Sequence, residues 1–315
     1  MKQTIFYKSR SHNHPDIVAK DAQDEVHSIK YLEPSEPQEM LGVFIFPDGN
    51  CKEQKRQLML KAEKYGELLL TSQIYKHEAW IGLNSMALKL IEYALPATTL
   101  SKKDCNEIMW KLIKNFLPLA GINRYIKRDV LFALPDSQGL GLKNIYLTQG
   151  ISHVCEIIEH MWKKSITGHL LKTSLEHLRL ELGVNIPILK SKINKYTQLS
   201  LTPSQLLHTW KFMSKNDITL NIDADTIPPQ REHDVPIMDN IINSGRFTSD
   251  QLSQINKCRM YLNVFNLLDI TTGDGKMITH YAWNGVKNST NHKQIYNWLN
   301  TGTVETYART HTMLS

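Results

Sequence analysis

The spacing of the apolar residues changes at Asn50, and this change constrains the fold more than any other feature of the chain. Before Asn50, short apolar or alternating runs such as TIFYK and LGVFIF are separated by turn sequences, which is typical of β-strands. After it, apolar residues recur every three or four positions, as at Leu58, Ala62, Tyr65 and Leu69. We therefore predict a mainly α protein in which a small N-terminal β segment is followed by a helical bundle and a C-terminal helical region.

Capping sequences indicate where individual helices begin. Ser101 and Asp104 have the spacing of a capping box ahead of a run with helical periodicity, and Thr248 occupies a cap position before another such run. Pro203 is predicted to start a shorter helix, because proline is favoured at the first helical position. The sequence LPDSQGLGLKN is rich in turn formers and predicts a break between helices.

Interruptions of the helical pattern divide the chain into regions. Residues 216–232 are poor in helix formers and include Pro228-Pro229, so this segment is predicted to be a linker. The predicted organisation is a β segment over 1–50, a helical region over 51–185, a C-terminal helical region over 186–283 and a polar tail over 284–315.

Composition excludes several classes of protein. A chain of 315 residues with 41% hydrophobic residues can bury a sizeable core, and its four widely separated cysteines indicate neither a disulfide framework nor a paired zinc site. No apolar run approaches the roughly 20 residues that are needed to span a bilayer. We therefore expect an intracellular protein of the cytoplasm or nucleus that has no membrane partner and holds no cofactor.

Positive charge is concentrated in two segments with helical periodicity. The formal net charge is +6, and residues 101–130 contain seven basic but only three acidic side chains. Such clusters permit contact with a polyanion, but a solvated helix face has the same composition, and the residues alone leave both interpretations open. The basic side chains of the two segments are Lys52, Lys55, Arg56, Lys102, Lys103, Lys111, Lys114, Arg124, Lys127 and Arg128.

No group of residues in the sequence has the arrangement of a catalytic site. His12 and His14 lie in a polar turn without the further ligands of a closed metal site, so a surface loop is the favoured interpretation. His153 and His160 are about two turns apart on a predicted helix, where a packed or surface pair is expected. On its residues alone, the chain is a helical and mildly basic binding or interaction module.

A glycine within the predicted strand LGVFIF requires an explanation. Gly42 is the second residue of this run, where it weakens the strand and leaves no side chain to pack. One explanation is that another backbone comes close to the strand at this position.

Four longer stretches together resemble a known family. They are KYLEPSEPQEMLGVFIFPDGNCKEQ, EAWIGLNSMALKLIEYALPATTLSKKDCNEIM, LPDSQGLGLKNIYLTQGISHV and INKCRMYLNVFNLLDITTGDGKMI, in this order. Their order and spacing resemble the C-terminal part of reverse transcriptases from eukaryotic retroelements without long terminal repeats, over about Lys2 to Ile278. The turn Gln138-Gly-Leu-Gly141 resembles the Gly-Gly-Leu-Gly turn of many such proteins, with Gln138 in place of the first glycine.

The resemblance implies a role in holding nucleic acid. The segment with Leu41 and Gly42 would be the primer grip, a β-hairpin that holds the 3′ end of the primer, and Gly42 would admit the nucleic-acid backbone. The helices that follow would be the thumb. There the basic residues named above would contact the phosphates of an RNA–DNA or DNA duplex without reading its bases.

Polymerases of this kind hold two Mg²⁺ ions with adjacent aspartates, and this chain contains no Asp-Asp pair. The resemblance begins past the position of that pair, which implies that the Mg²⁺ belongs to the complete enzyme. We therefore expect a reverse-transcriptase fragment that binds a template–primer duplex and does not polymerise by itself. The alternative is a protein-interaction or scaffold module without a nucleic-acid role. The sequence predicts no oligomeric state.

Overall fold

A computed structural model describes residues 6–7, 18–20, 24–28, 31–32, 36–46, 48–199, 201–221 and 234–272. The described chain is mainly helical, with short strands near the N-terminus, so the predicted fold class is confirmed. The chain forms two compact units, Met1–Cys155 and Glu156–Ser315, and each is described by itself. The units thus separate between Cys155 and Glu156, whereas the sequence placed the boundary between helical regions at 185.

Within the described residues, the N-terminal β segment consists of short strand pairs rather than one sheet. Phe6–Tyr7 (β1) pairs with Tyr31–Leu32 (β4) in parallel, while the other two pairs are antiparallel. Isolated pairs are marginally stable, so a strand pair benefits from packing against a helix. The remaining strands are Val18–Lys20 (β2), Val26–Ser28 (β3), Gln38–Met40 (β5) and Val43–Ile45 (β6).

Leu41 and Gly42 form the two-residue turn between β5 and β6. Their φ angles are 52° and 80°, and positive φ at both central residues is what a type I′ hairpin turn requires. The prediction of one strand through Gly42 is therefore wrong, because the strand begins at Val43 and the turn itself requires the glycine. Among the described residues, no heavy atom would lie within 4 Å of a Cβ at Gly42, so no second backbone lies against it there.

The first unit continues as a helical bundle. Leu58 and Leu112 are fully buried, in agreement with the helical periodicity after Asn50. The cap predicted at Ser101 is confirmed, since the Ser101 hydroxyl accepts a hydrogen bond from the Asp104 amide at 3.1 Å. The helices that begin in this unit are Lys52–Leu70 (α1), Lys76–Gly82 (α2), Leu88–Glu92 (α3), Lys102–Leu119 (α4), Arg128–Phe132 (α5) and Ile145–His160 (α6).

Helices α1 and α4 lie in contact and run parallel. Lys55 meets Asp104 near the start of both helices, and Gly66 lies against Asn115 near their ends. Two parallel helices that follow one another in the chain need a return segment of comparable length. Helix α2, a π-helical turn at Leu83–Ala87 and α3 form that segment. The N-terminal ends of α1 and α4 consequently lie at the same end of the bundle.

The β5–β6 hairpin is attached to the first part of α1. Val43 is 7% exposed and lies in the same hydrophobic core as the buried face of α1. The Phe44 amide donates a hydrogen bond to Oε1 of the buried Gln54 at 2.7 Å, and the Tyr93 hydroxyl donates to the carbonyl of Leu41 at 3.1 Å. These contacts hold the tip of the hairpin near α3 and its second strand against α1.

The second unit contains a buried arginine at the centre of its helix contacts. The Arg259 side chain is 3% exposed and donates to two backbone carbonyls at the end of the first helix of this unit. The predicted cap at Thr248 is confirmed. The helix predicted to start at Pro203 instead has Ser204 as its cap, so that start was wrong. The helices are Ile166–Leu182 (α7), Gln205–Lys215 (α8), Ile237–Ser244 (α9) and Ser249–Tyr261 (α10).

Some predicted features lie outside the described residues. They are His12, His14, most of the linker predicted over 216–232, and the polar tail predicted over 284–315. The described part of the linker, 216–221, contains neither helix nor strand.

Candidate nucleic-acid interface

Helix α4 carries four of the predicted basic residues, and their side chains point in different directions around the helix axis. At about 100° per residue, Lys103 and Lys114 point within about 20° of one another, and Trp110 points the same way. Cys105 and Leu112 are buried on the opposite side of the helix. We call the surface formed by Lys103, Trp110 and Lys114 the α4 outer face.

Lys55 joins α1 to α4 instead of offering a free charge. Its Nζ lies 2.5 Å from Asp104 Oδ1 and 2.6 Å from Glu107 Oε2. Hydrogen bonds to these two carboxylates raise the pKa of Lys55. Burial by itself would raise the pKa of Asp104, but the hydrogen bonds from Lys55 and Ser101 outweigh burial and lower that pKa.

Lys111 and Arg56 also have carboxylate partners. Lys111 pairs with Glu63 across the α1–α4 contact, and its hydrogen bond lowers the pKa of Glu63. Arg56 lies 2.5 Å from Glu53 within α1, and its hydrogen bond lowers the pKa of Glu53 to about 2. Because a local acid offsets each charge, these residues are weaker sites for phosphate than the sequence predicted.

We expect the Lys55–Asp104 pair to make the stability of the first unit sensitive to acid. The folded-state pKa of Asp104 lies below its unfolded value of about 3.9, so the pair contributes fully above that pH. Its contribution is lost as the pH falls through the lower, folded pKa. Urea unfolding, followed by circular dichroism from neutral to acidic pH, measures the free energy of unfolding. This free energy should fall less with acid in Lys55→Met than in the wild type.

Lys64→Met is the matched control for this measurement, because Lys64 is an exposed lysine of the same helix and has no ion pair among the described residues. Its acid-induced loss should equal that of the wild type. An equal loss in Lys55→Met and the wild type would show that the pair does not contribute to acid sensitivity.

The segment after α4 presents an arginine and a tyrosine on a tight turn. Asn123 Oδ1 accepts a hydrogen bond from the Tyr125 amide at 2.9 Å, and the Asn123 carbonyl accepts one from the Ile126 amide at 3.0 Å. Arg124 and Tyr125 are the central residues of this turn, and both are exposed. The Arg124 guanidinium lies 4.8 Å from the centroid of the Tyr125 ring, which is within cation–π range.

Arg128 connects this turn to the α4 outer face. Its guanidinium carbon lies 5.4 Å from the centroid of the Trp110 ring. Partial burial lowers the pKa of Arg128, but an arginine remains protonated at neutral pH. Lys127 is exposed beside it. We call the combined set the basic aromatic surface; its members are Lys103, Trp110, Lys114, Arg124, Tyr125, Lys127 and Arg128.

The five cations of the basic aromatic surface have no ion pair within the part of the chain that the structure describes. Glu107 points to the same side of α4 as Lys103 and Lys114, but Lys55 binds both Glu107 and Asp104. Glu63 of α1 is close enough for the charge of Lys114 to lower its pKa. The structure thus divides the predicted basic residues into a paired set at the α1–α4 contact and an unpaired set on the outer surface.

The other predicted site residues lie elsewhere on the first unit. Lys52 and Lys102 are exposed at the first positions of α1 and α4, so they share one end of the bundle. Leu41 is 88% exposed at the tip of the hairpin, with Gly42 beside it. The predicted residues therefore form separate groups, and the basic aromatic surface is the largest of them.

The two aromatic members of this surface, Trp110 and Tyr125, were not among the predicted site residues. Trp110 is seven residues after Lys103 and four before Lys114, a spacing that already placed all three on one helical face. Tyr125 directly follows Arg124 in a polar, basic segment. Both signals were present, but an aromatic residue in a helical run is more often part of the core.

Neither a metal site nor a membrane span is found in the described parts of the chain. No three His, Cys, Asp or Glu side chains there are grouped so that they could hold a metal ion. No described helix is long and apolar enough to cross a bilayer. Comparison with protein-family profiles, curated proteins and solved structures finds no match for this chain.

Proposed function

We propose that this chain binds the sugar–phosphate backbone of nucleic acid without reading its sequence, as the template–primer-binding part of a reverse transcriptase from a retroelement without long terminal repeats. The observation that supports the proposal best is the separation of charge on α4. Lys103 and Lys114 share the outer face and form no ion pair among the described residues, although the charge of Lys114 helps to lower the pKa of Glu63. Lys55 and Lys111 are paired on the α1 side.

The dimensions of α4 suit this role. Its 18 residues give a length of about 27 Å, and Lys103 and Lys114 are about 16 Å apart along it, so a duplex along the helix would meet two cations within about half of a B-DNA turn of about 34 Å. Lysine and arginine contacts to phosphates release counterions and supply most of the affinity in sequence-independent binding. The surface carries five such cations, three of them after the helix.

The order of the elements also supports the proposal. A β-hairpin precedes the helical bundle and is attached to its first helix, as expected from the resemblance to a primer grip followed by a thumb. The chain would position a duplex, and the phosphoryl-transfer chemistry would belong to the Mg²⁺-binding aspartates of the complete enzyme. The proposal places the protein in the cytoplasm or nucleus, with an RNA–DNA or DNA duplex as its partner.

We expect the affinity of the full chain for a short RNA–DNA hybrid to fall steeply as salt is added. The double variant Lys103→Gln and Lys114→Gln should bind more weakly and should reduce the slope of log K against log salt by about two, since each lysine contacts about one phosphate. Fluorescence anisotropy of a labelled hybrid, recorded over a series of KCl concentrations, measures both quantities.

The matched control replaces Lys172 and Lys211 by glutamine, because both are exposed lysines on helices of the second unit. This control should keep the wild-type slope. Binding that does not depend on salt, or a control variant that loses as much as the α4 variant, would overturn the proposal. The absence of any hybrid binding would favour the protein-interaction alternative.

A further inference from the structure

We propose that the basic aromatic surface takes unpaired nucleotides, with bases stacked on Tyr125 and Trp110 and phosphates held by the adjacent cations. This rests on the function proposed above and names the part of the nucleic acid that this surface binds. The partner is the single strand that continues beyond a duplex end.

Tyr125 is displayed on a rigid support. Ile122 and Ile126 pack against the hydrophobic core on either side of the turn, and the side chain of Asn123 holds the turn by its hydrogen bond to the Tyr125 amide. The Tyr125 side chain is nevertheless 70% exposed. Because the backbone at Tyr125 is already held, a stacked base has to order only the side chain of the tyrosine, which limits the entropy cost of binding.

Each exposed ring has a guanidinium beside it. Arg124 lies over Tyr125 at 4.8 Å, and Arg128 lies over Trp110 at 5.4 Å. Trp110 is 39% exposed between the two lysines of the α4 outer face. Aromatic rings and guanidinium planes are the groups on which proteins stack unpaired bases, while lysines beside them follow the backbone.

The aromatic rings distinguish between single strands and duplexes. In a duplex the faces of the bases are covered by their neighbours, so only phosphates and groove edges meet a protein surface. An unpaired base offers a free π-face, and stacking on it tolerates any sequence because every base has such a face. Exposed rings among cations therefore fit an unpaired strand better than a duplex alone.

The test compares two probes of equal charge with the full chain. A labelled oligothymidylate has bases, and an abasic strand of the same length has the same phosphates without them. We expect the wild type to bind the oligothymidylate at least about 25-fold more tightly in fluorescence anisotropy, because each of the two stacked bases adds at least about fivefold in affinity. Tyr125→Leu and Trp110→Leu should each reduce that preference, and Tyr125→Phe should retain it because the ring remains.

Tyr261→Leu and Trp162→Leu are matched controls, since each side chain is 61% exposed in the second unit. They should keep the preference of the wild type. Equal binding of the two probes, or an equal loss in the control variants, would overturn the stacking proposal. If the RNA–DNA hybrid still binds with the expected salt dependence, the proposed function survives that outcome. If neither probe nor hybrid binds, both proposals fail.

Discussion

Gly139→Ala is expected to destabilise the first unit by about 3 kcal/mol, as a severe case of overpacking. A Cβ at Gly139 would lie 2.1 Å from the carbonyl oxygen of Ala133 and 2.4 Å from its carbonyl carbon. These are backbone atoms, so the clash cannot be relieved by turning a side chain. The Ala133 carbonyl also accepts the Gly141 amide at 2.8 Å, so a shift of this backbone would break a hydrogen bond.

The segment that contains Gly139 is hydrogen-bonded to α5. We therefore expect a substitution at Gly139 to disturb the basic aromatic surface as well. The Leu140 amide donates to the Val130 carbonyl at 2.9 Å, and the Leu142 amide donates to the Leu131 carbonyl at 3.0 Å. Arg128 begins the helix that this segment holds. We therefore expect Gly139→Ala to weaken hybrid binding as well as stability.

Gly82→Ala is the matched control for this substitution. Gly82 has helical angles, and no heavy atom among the described residues would lie within 4 Å of its Cβ. Alanine is favoured over glycine in a helix by about 1 kcal/mol, so this variant should be neutral or more stable. Urea unfolding of both variants measures the difference. A Gly139→Ala protein as stable as Gly82→Ala would contradict the packing that the structure shows.

Arg259→Met is expected to destabilise the second unit by about 3 kcal/mol. Arg259 donates to the carbonyl of Leu180 at 2.5 Å, of Glu181 at 3.0 Å and of Val264 at 3.1 Å. The first two carbonyls lie in the last turn of α7, where the backbone carbonyls have no amide partner within the helix. Methionine has a similar volume but no hydrogen-bond donor. Each buried carbonyl left without a partner would destabilise the unit by about 1–3 kcal/mol.

Two effects should make the loss of stability in Arg259→Met smaller than the loss of its hydrogen bonds alone would suggest. Burial lowers the pKa of Arg259 to about 10, because desolvation disfavours the charged form, and we expect removal of the cation to recover that desolvation cost. Asn256 would also still donate to the Glu181 carbonyl at 2.8 Å. A net loss of stability would therefore come from the other carbonyls and from the packing around the side chain.

Lys257→Met is the control on the same helix, because Lys257 is exposed two residues before Arg259. A surface substitution of this kind usually changes stability by less than about 0.5 kcal/mol. Thermal and urea unfolding, followed by circular dichroism, would compare the two variants with the wild type. If Arg259→Met unfolds at the same urea concentration as Lys257→Met, the carbonyl contacts of the arginine do not stabilise the unit.

Local sequence signals predicted the start of a helix correctly where a single capping residue determines it. Ser101 and Thr248 are caps in the structure because a hydroxyl and an N3 side chain satisfy the free amides of the same helix turn. The start at Pro203 was wrong because Ser204, one residue later, is a better cap and moved the first helical residue to Gln205. Gly42 was placed in a strand because a run of apolar residues does not distinguish a strand from a hairpin turn at its edge.

The sequence by itself determined the mainly helical class, the starts of α4 and α10 and the presence of surplus positive charge between Ser101 and Val130. Only the tertiary structure decided which of the predicted basic side chains are paired with an acid. Lys55 meets Asp104 across 49 residues of chain and Lys111 meets Glu63 across 48, because α1 and α4 pack in parallel. Periodicity reports the direction of a side chain on its own helix, whereas a partner on a second helix depends on how the two helices pack.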